Sequence, residues 1–460
     1  MSFRKEHLLF IAPSAYPLGG VSVWLNYLLP SLRKKGFIVT LGLVNGKSHN
    51  ADTYLQHYPF SDVVKIELGS GSLYSRMRSL ADVISKVSPT MVVSVNIPDV
   101  YLATRLMRRK KIGEDFRLVS TIHGILPRLF SDLNKYSDVI NDVVATNKLT
   151  CAMLESETSY SSTQLHYAPY GVEIYPKNDH DRSPERPINI LYCGRIDTTQ
   201  KRCQDLKSIA TQLANKGVNF NLLIAGDGPY RSTLFSELKQ FSVVDLGVLS
   251  VNEMTDKAYR RADALLLPSE WETGPIVVWE AMAHGVPIVT SRYNGLSSEG
   301  ALKHLKNCLI FDVGDSDGAA ECFQVLADSV LREQMIDNAY KLLEQRYNRE
   351  KSVQAWADVF SSMSESSLSI AAPKIPRIAP RGRLETWLGV EAGDFVRRCL
   401  NLKVAMFSAG DEWPHSHAQT DDPTYDDFYR KLESIEMNAV GDRSPISSGK
   451  REHKNNEGAI

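Results

Sequence analysis

The amino-acid sequence predicts an α/β protein of two doubly wound domains, and three observations support that prediction. Short, near-continuous apolar runs alternate with amphipathic stretches, the pattern of parallel strands covered on both faces by helices. The alternation pauses at GVEIYPKNDHDRSPERP, residues 171–187, which is polar, charged and Pro-rich, as a linker is. It then resumes in a second array of similar size. Two such domains on one linker enclose a deep cleft, and ligands of these sheets bind at the carboxyl ends of the strands.

In the first array HLLFIAP, FIVTLGLV, VVKIEL, MVVSV, RLVSTIH and the weaker DVVAT read as strands. Helical stretches such as VWLNYLLPSLRKKG and VYLATRLMRRKK lie between them. INILYCG, NFNLLIAG, SVVDLG, ADALLLP and VPIVTS are the strands of the second array. The resulting domains are 1–174 and 187–350, and KSVQAWADVFSSMSES (351–366) reads as a further helix closing the second domain. From 367 to 460 the character changes. A Pro/Arg spacer, AAPKIPRIAPRGR, leads into RLETWLGVEAGDFVRRCLNLKVAMF, which suits one or two amphipathic helices. The final DRSPISSGKREHKNNEGAI is polar enough to be disordered. No role is assigned to this tail.

The chain's 460 residues exceed one ordinary core. A formal net charge of −1 argues against a nucleic-acid binder. Arg33-Lys34-Lys35 and Arg108-Arg109-Lys110-Lys111 are local exceptions. They read first as solvated helix ends, and second as contacts to an anionic membrane surface or acceptor. Six scattered cysteines, with no CxxC and no histidine at metal-ligand spacing, suit free thiols in a reducing compartment. Leu8–Pro13 is too short for the apolar part of a signal peptide and reads as a first buried strand. No apolar run reaches the ~18 residues of a membrane span. The expectation is a cytoplasmic protein, with peripheral contact at the inner face of the cell membrane as an addition.

Each chemically suggestive spot follows a strand. Gly19 and Gly20, before a helix, let the backbone approach a ligand, and the helix N-terminus offers free N–H groups to an anion. Taken alone they are equally a glycine turn, and neither GxGxxG nor a P-loop occurs. His123 ends a strand, although a lone histidine is more often structural. Gly194 opens the loop GRIDTTQKR, where Arg195 and Lys201 bring a planar fork and a point charge suited to phosphate oxygens. A solvated basic loop is the plainer alternative. Gly226 and Gly228 end the strand of NLLIAG. In SEWETGPIVVWEAMAHGVP (269–287), Pro275 fits the first turn of a helix. Helix entry at Thr273–Pro275 leaves Glu272 outside, facing the cleft, and Glu280 one to two turns inside. Amides near Gly274 and Ile276 suit a diphosphate, Glu272 suits polyol hydroxyls, and Glu280 suits a ribose. The plainer reading of Glu280 is a locally satisfied helix carboxylate, although burying such a charge without a partner is costly.

Together these pieces resemble glycosyltransferase family 4, the retaining, group 1 type sugar transferases of GT-B fold, over residues 5–366. They are LGGV, TIHG, PYGVE, YCGRIDTTQKR, IAGDGPYR and PSEWETGPIVVWEAMAHGVPIV, in which seven residues separate Glu272 from Glu280. The resemblance implies two Rossmann-like domains facing each other across a cleft. The first would lie on the acceptor side and the second would carry the nucleotide-sugar donor. It implies retaining transfer from a UDP- or GDP-sugar to a glycan or lipid-linked acceptor in surface polysaccharide synthesis, with no cofactor and no metal. By position, Arg195 and Lys201 would hold the donor diphosphate with Gly20 closing over it. Glu272 would contact the sugar, Glu280 the ribose, and His123 would lie by the reacting face; Glu272, His123, Arg195 and Lys201 are the catalytic candidates. The donor-binding set is Gly19, Gly20, Gly194, Arg195, Lys201, Gly226 and Gly228, with Glu272, Thr273, Gly274, Pro275, Ile276 and Glu280.

Two departures stand out. The Arg-to-Lys spacing is one residue longer than the commonest family pattern, and Gly274 replaces a bulkier residue, which would widen the sugar pocket. Two carboxylates could also serve a glycosidase, but that chemistry needs no basic phosphate loop between Rossmann halves. The alternatives kept are a sugar-nucleotide epimerase of the same fold and a catalytically silent scaffold that binds nucleotide-sugar.

Overall fold

The structure, a computed structural model, describes residues 6–14, 20–46, 49–95, 97–113, 115–177, 186–366, 382–404 and 425–439, with single residues at 368, 378 and 380. Within these, seven strands form the first sheet: β1 (His7–Pro13), β2 (Ile38–Val44), β3 (Val63–Ile66), β4 (Met91–Val95), β5 (Arg117–Ile122), β6 (Asp142–Ala145) and β7 (Leu165–Tyr167). Six form the second: β8 (Ile188–Cys193), β9 (Phe220–Ala225), β10 (Val243–Gly247), β11 (Ala264–Leu267), β12 (Ile288–Ser291) and β13 (Leu309–Phe311).

Their orders are β3-β2-β1-β4-β5-β6-β7 and β10-β9-β8-β11-β12-β13, and every pairing is parallel. Both are doubly wound, with the order reversing between β1 and β4 and between β8 and β11, so a crevice opens at the carboxyl ends of those strands. The fold predicted from the alternating pattern is therefore the fold observed. Strands β4, β5, β6, β11 and β12 are buried at every residue, as continuous apolar runs between two helical layers must be.

The two domains share a core. One apolar cluster runs from Leu8, Phe10 and Trp24 to Leu265, Trp279 and Trp356. The sequence reading of residues 351–366 needs correction here. The Arg349–Glu365 helix starts on an Asn348 cap and packs on the first domain instead of closing the second. Trp356 lies 4.8 Å from the Trp24 ring, and Phe360 lies 5.8 Å from Phe10. Ser352 Oγ bonds the Tyr27 hydroxyl at 3.0 Å. The chain thus crosses between domains twice, and the crossings are hydrogen-bonded to each other. Val172 N–H donates to Tyr347 O, and Arg349 N–H donates to Val172 O, each at 2.8 Å. Gly171 is required there, because a Cβ would sit 2.5 Å from Ser352 Cβ. The start of the expected linker is accordingly packed core; residues 178–185 of it lie outside the described residues.

In the tail, two helices form, Arg383–Leu388 and Val390–Cys399; residues 405–407 lie outside the described residues. A further helix, Tyr425–Ala439, spans both domains. Phe428 packs on Phe130 of the first, ring centroids 5.0 Å apart. The Glu436 carboxylate accepts from Ser298 N–H at 3.1 Å and Ser298 Oγ at 2.6 Å in the second. Most of the Pro/Arg spacer and the 442–460 end lie outside the described residues. No described helix is long and apolar enough to cross a membrane.

Candidate active site

In the second domain the loops beyond β8, β9 and β11 converge on one place. Beyond β8, the Gly194 loop packs against the loop that follows β9, and two glycines permit it. A Cβ on Gly226 would lie 1.9 Å from Gly194 O, and one on Gly228 would lie 2.4 Å from Ile196 O. Asp197 shapes the rest of the loop, its carboxylate accepting from Arg195 Nε at 2.7 Å and from the N–H groups of Thr199, Gln200 and Lys201 at 3.1, 2.8 and 3.1 Å. Burial pushes the Asp197 carboxyl up. The Arg195 guanidinium and these N–H donors outweigh that and leave it below the ordinary value.

This turn aims Lys201 across to the segment after β11. Its Nζ donates to Glu272 Oε1 at 2.7 Å, and Ser269 Oγ donates to the same oxygen at 2.6 Å. Glu272, expected to face the cleft, is only 5% exposed and ion-paired. Arg195 is turned onto its own loop, its Nη2 donating to Gln200 Oε1 at 2.7 Å.

The helix after this segment runs Ile276–Ala283. Pro275 is its extended N-cap instead of a first-turn residue. Among the described residues the N–H groups of Gly274 and Ile276 make no hydrogen bond, as expected of the exposed donors at a helix start. From the first domain, Gly20 opens the Gly20–Lys34 helix, and a Cβ on it would lie 3.1 Å from Ile276 Cδ1. Two helix N-termini therefore face one narrow gap. Gly19 lies outside the described residues.

Thr273 ties the domains together: its hydroxyl donates to His123 O at 3.0 Å, and its carbonyl accepts from Thr146 Oγ1 at 3.2 Å. Gly274 takes φ +90°, but the space its missing side chain leaves does not widen a pocket. Tyr170 fills it, with Cδ2 3.2 Å from where a Cβ would stand. The Tyr170 hydroxyl pairs with His123 Nδ1 at 2.5 Å, and Thr121 Oγ1 pairs with Nε2 at 2.9 Å. Burial pushes the His123 imidazole down to about 3. His123 is thus a neutral ring with both nitrogens engaged, lying 4.6 Å from the Trp24 ring.

A cavity of about 140 Å³ lies between the domains, lined by Gly20, Gly194, Gly226, Ile276 and Glu280 together with Arg349. Lys201 adjoins it through Gly194, whose Cβ would stand 3.7 Å from Lys201 Cε. Glu280 accepts from the Tyr259 hydroxyl at 2.6 Å. Burial pushes its carboxyl up to about 7, against the smaller opposing pull of Tyr259 and Arg349. Tyr259 and Arg349 escaped the sequence reading, since nothing local marks them, and Tyr170 entered it only as part of PYGVE. The described residues contain no cluster of three or more His, Cys, Asp or Glu placed to hold a metal.

Comparison with known proteins agrees with this architecture. Residues 177–342 match the family model described as glycosyl transferases group 1. N-acetyl-alpha-D-glucosaminyl L-malate synthase of Bacillus anthracis is 25% identical over 273 residues, 55% of this chain and 70% of that protein. The sulfoquinovosyl transferase SQD2 of Arabidopsis thaliana is 29% identical, over 36% of this chain and only 31% of its own length. Among solved structures, Anabaena Alr3699/HepE in complex with UDP and glucose superposes with a TM-score of 0.64 at 17% identity, covering 78% of this chain and 100% of that one. The second domain thus resembles the group 1 glycosyltransferases, and the chain as a whole has the GT-B fold of the structures it superposes on.

Proposed function

We propose that the chain is a retaining transferase moving a sugar from a UDP- or GDP-sugar to a glycan or lipid-linked acceptor, without a bound metal, in surface polysaccharide synthesis. The observation that carries this reading is the seating of the Lys201–Glu272 pair beside the Gly194 loop and just ahead of the Ile276–Ala283 helix. Breaking the anomeric C–O bond leaves negative charge on the departing nucleoside diphosphate. Lys201 and the amides of Gly274 and Ile276 are the groups to receive it, and they are held in place before the reaction. Arg195 joins them by releasing Gln200. Glu272 takes sugar hydroxyls, and Glu280, on the cavity wall, takes the ribose. His123 is assigned a neutral, shape-giving role beside the sugar.

The test is a thermal-shift screen against UDP, GDP, ADP and their sugar conjugates, with and without EDTA. A ligand that binds only the native state at about 100 times its Kd adds about 2.7 kcal/mol of stability. A shift with one uridine or guanosine conjugate, unchanged by EDTA, is expected. A shift abolished by EDTA overturns the metal-free part, and no shift with any of them overturns the nucleotide-sugar donor itself.

A further inference from the structure

The tail helices Arg383–Leu388 and Val390–Cys399 form a hairpin around Gly389, which takes φ +81°. Their inner sides are closed by polar contacts. Glu385 pairs with Arg397, and both are buried. Asp394, fully buried, accepts from Ser70 Oγ at 2.6 Å, Ser72 Oγ at 2.8 Å and Arg398 Nε at 3.0 Å. Val404 N–H donates to Ser70 O at 2.8 Å. These contacts seat the hairpin on the first domain.

Its outer side has the opposite character. On a helical wheel Phe395 stands across from Gly393 and Arg397, and Trp387 across from Glu385. Trp387 is 82% exposed, Leu388 50%, Phe395 60%, Leu400 63% and Leu402 46%. Single exposed apolar residues are ordinary, but this many on a short hairpin make a patch.

The exposed charges beside the patch are basic except for Glu391. Lys110 reaches Glu391 on the second helix at 3.3 Å, and it is flanked by exposed Arg109 and Lys111. Arg78 interacts with Glu391, and exposed Arg398 and Lys403 belong to the hairpin itself. The hairpin's other acids, Glu385 and Asp394, are consumed in its buried contacts.

We infer that this face docks the protein onto a bilayer containing anionic phospholipid. Trp387, Phe395 and Leu400 enter the headgroup–acyl boundary, and the surrounding Lys and Arg meet the lipid phosphates. A large, exposed aromatic with an apolar body suits that boundary. Basic residues near the surface add attraction that salt screens. Docking would fix the first domain on the leaflet.

The test is co-sedimentation of the full-length chain with vesicles of phosphatidylcholine, with or without phosphatidylglycerol. Pelleting with the anionic vesicles is expected, weakened at least about tenfold when salt rises from about 0.1 M to about 1 M. The combined substitution Trp387→Ser with Phe395→Ser, at two exposed sites, should lower vesicle partition at least about tenfold at an unchanged melting temperature. Lys110→Glu with Lys111→Glu should lower partition to anionic vesicles alone. Failure of the unaltered chain to pellet overturns the inference, and so does equal partition by the serine variant. A dimer in sedimentation velocity that the serine variant abolishes overturns it too, since the face would then bind a second copy. No donor is needed for the readout, so its failure leaves the transferase reading intact.

Discussion

Lys201 and Glu272 are 14% and 5% exposed and meet at 2.7 Å, so neither can lose its partner cheaply. Lys201→Ala leaves a buried carboxylate supported only by Ser269 Oγ. Glu272→Ala leaves a buried ammonium. Removing one member of such a pair costs about 3–5 kcal/mol, because the remaining charge is uncompensated. The double variant Lys201→Met with Glu272→Gln removes both charges, and the glutamine can still accept from Ser269. It should recover most of the loss, with a coupling energy of about 2 kcal/mol or more in a urea-unfolding cycle. Donor binding behaves differently under the proposed role. The double variant, although folded, lacks the cation that meets the diphosphate, and losing one hydrogen bond to a charged group costs about 1.5–3 kcal/mol. That is about 10- to 100-fold in Kd, read by calorimetry with the conjugate found in the screen. Turnover should fall further wherever Glu272 is replaced. A double variant that binds donor as tightly as the parent would refute the reasoning, leaving the pair a purely structural one.

Gly226→Ala should destabilise the second domain by at least about 3 kcal/mol, since its Cβ would meet Gly194 O at 1.9 Å at φ +142°. Gly217→Ala, at φ +71° with nothing within 4 Å, should cost only about 1 kcal/mol from backbone strain; thermal melts that rank the two equally would contradict the packing of the glycine loops. Burial raises the Glu280 carboxyl from 4.5 to about 7, so the folded state disfavours its ionisation. Its contribution is fully retained below pH ~4.5 and is lost as pH rises toward 7, on the order of 3 kcal/mol. Glu280→Gln should flatten that part of the stability–pH curve, and an unchanged slope would show that Glu280 stays ionised.

The parts of this molecule legible in its sequence are those written locally. A buried parallel strand shows as a run of β-branched and apolar residues, which is why HLLFIAP and INILYCG were read within a residue of β1 and β8. The strands LHY and LIF, at three residues each, are too short to carry such a signal. The amphipathic pattern of 351–366 shows which face is apolar but not which core receives it, and Trp356 turned out to belong with Trp24. The Tyr425–Ala439 helix did carry a signal, Phe428, Leu432 and Ile435 at helical spacing, set within a polar tail.

The two glutamates of the Glu-x7-Glu segment show the limit most clearly. Spacing gives both carboxylates the same standing in the sequence, and the fold separates them. Glu272 finds a cation 71 positions away because the Asp197-centred turn aims Lys201 at it. Glu280 finds only the neutral hydroxyl of Tyr259 close at hand, with Arg349 a weaker influence. One therefore carries a charge balanced within the protein, and the other stands on a cavity wall with little compensation. A partly buried carboxylate accepting one hydroxyl still has lone pairs to satisfy. Ligand hydroxyls reaching Glu280 can meet that need without adding charge, whereas a diphosphate can reach Lys201 only by sharing it with Glu272. On this view the site grades its ligand from a neutral sugar ring at Glu280 to an anionic group at Lys201, and the grading comes from the partners each glutamate acquires on folding.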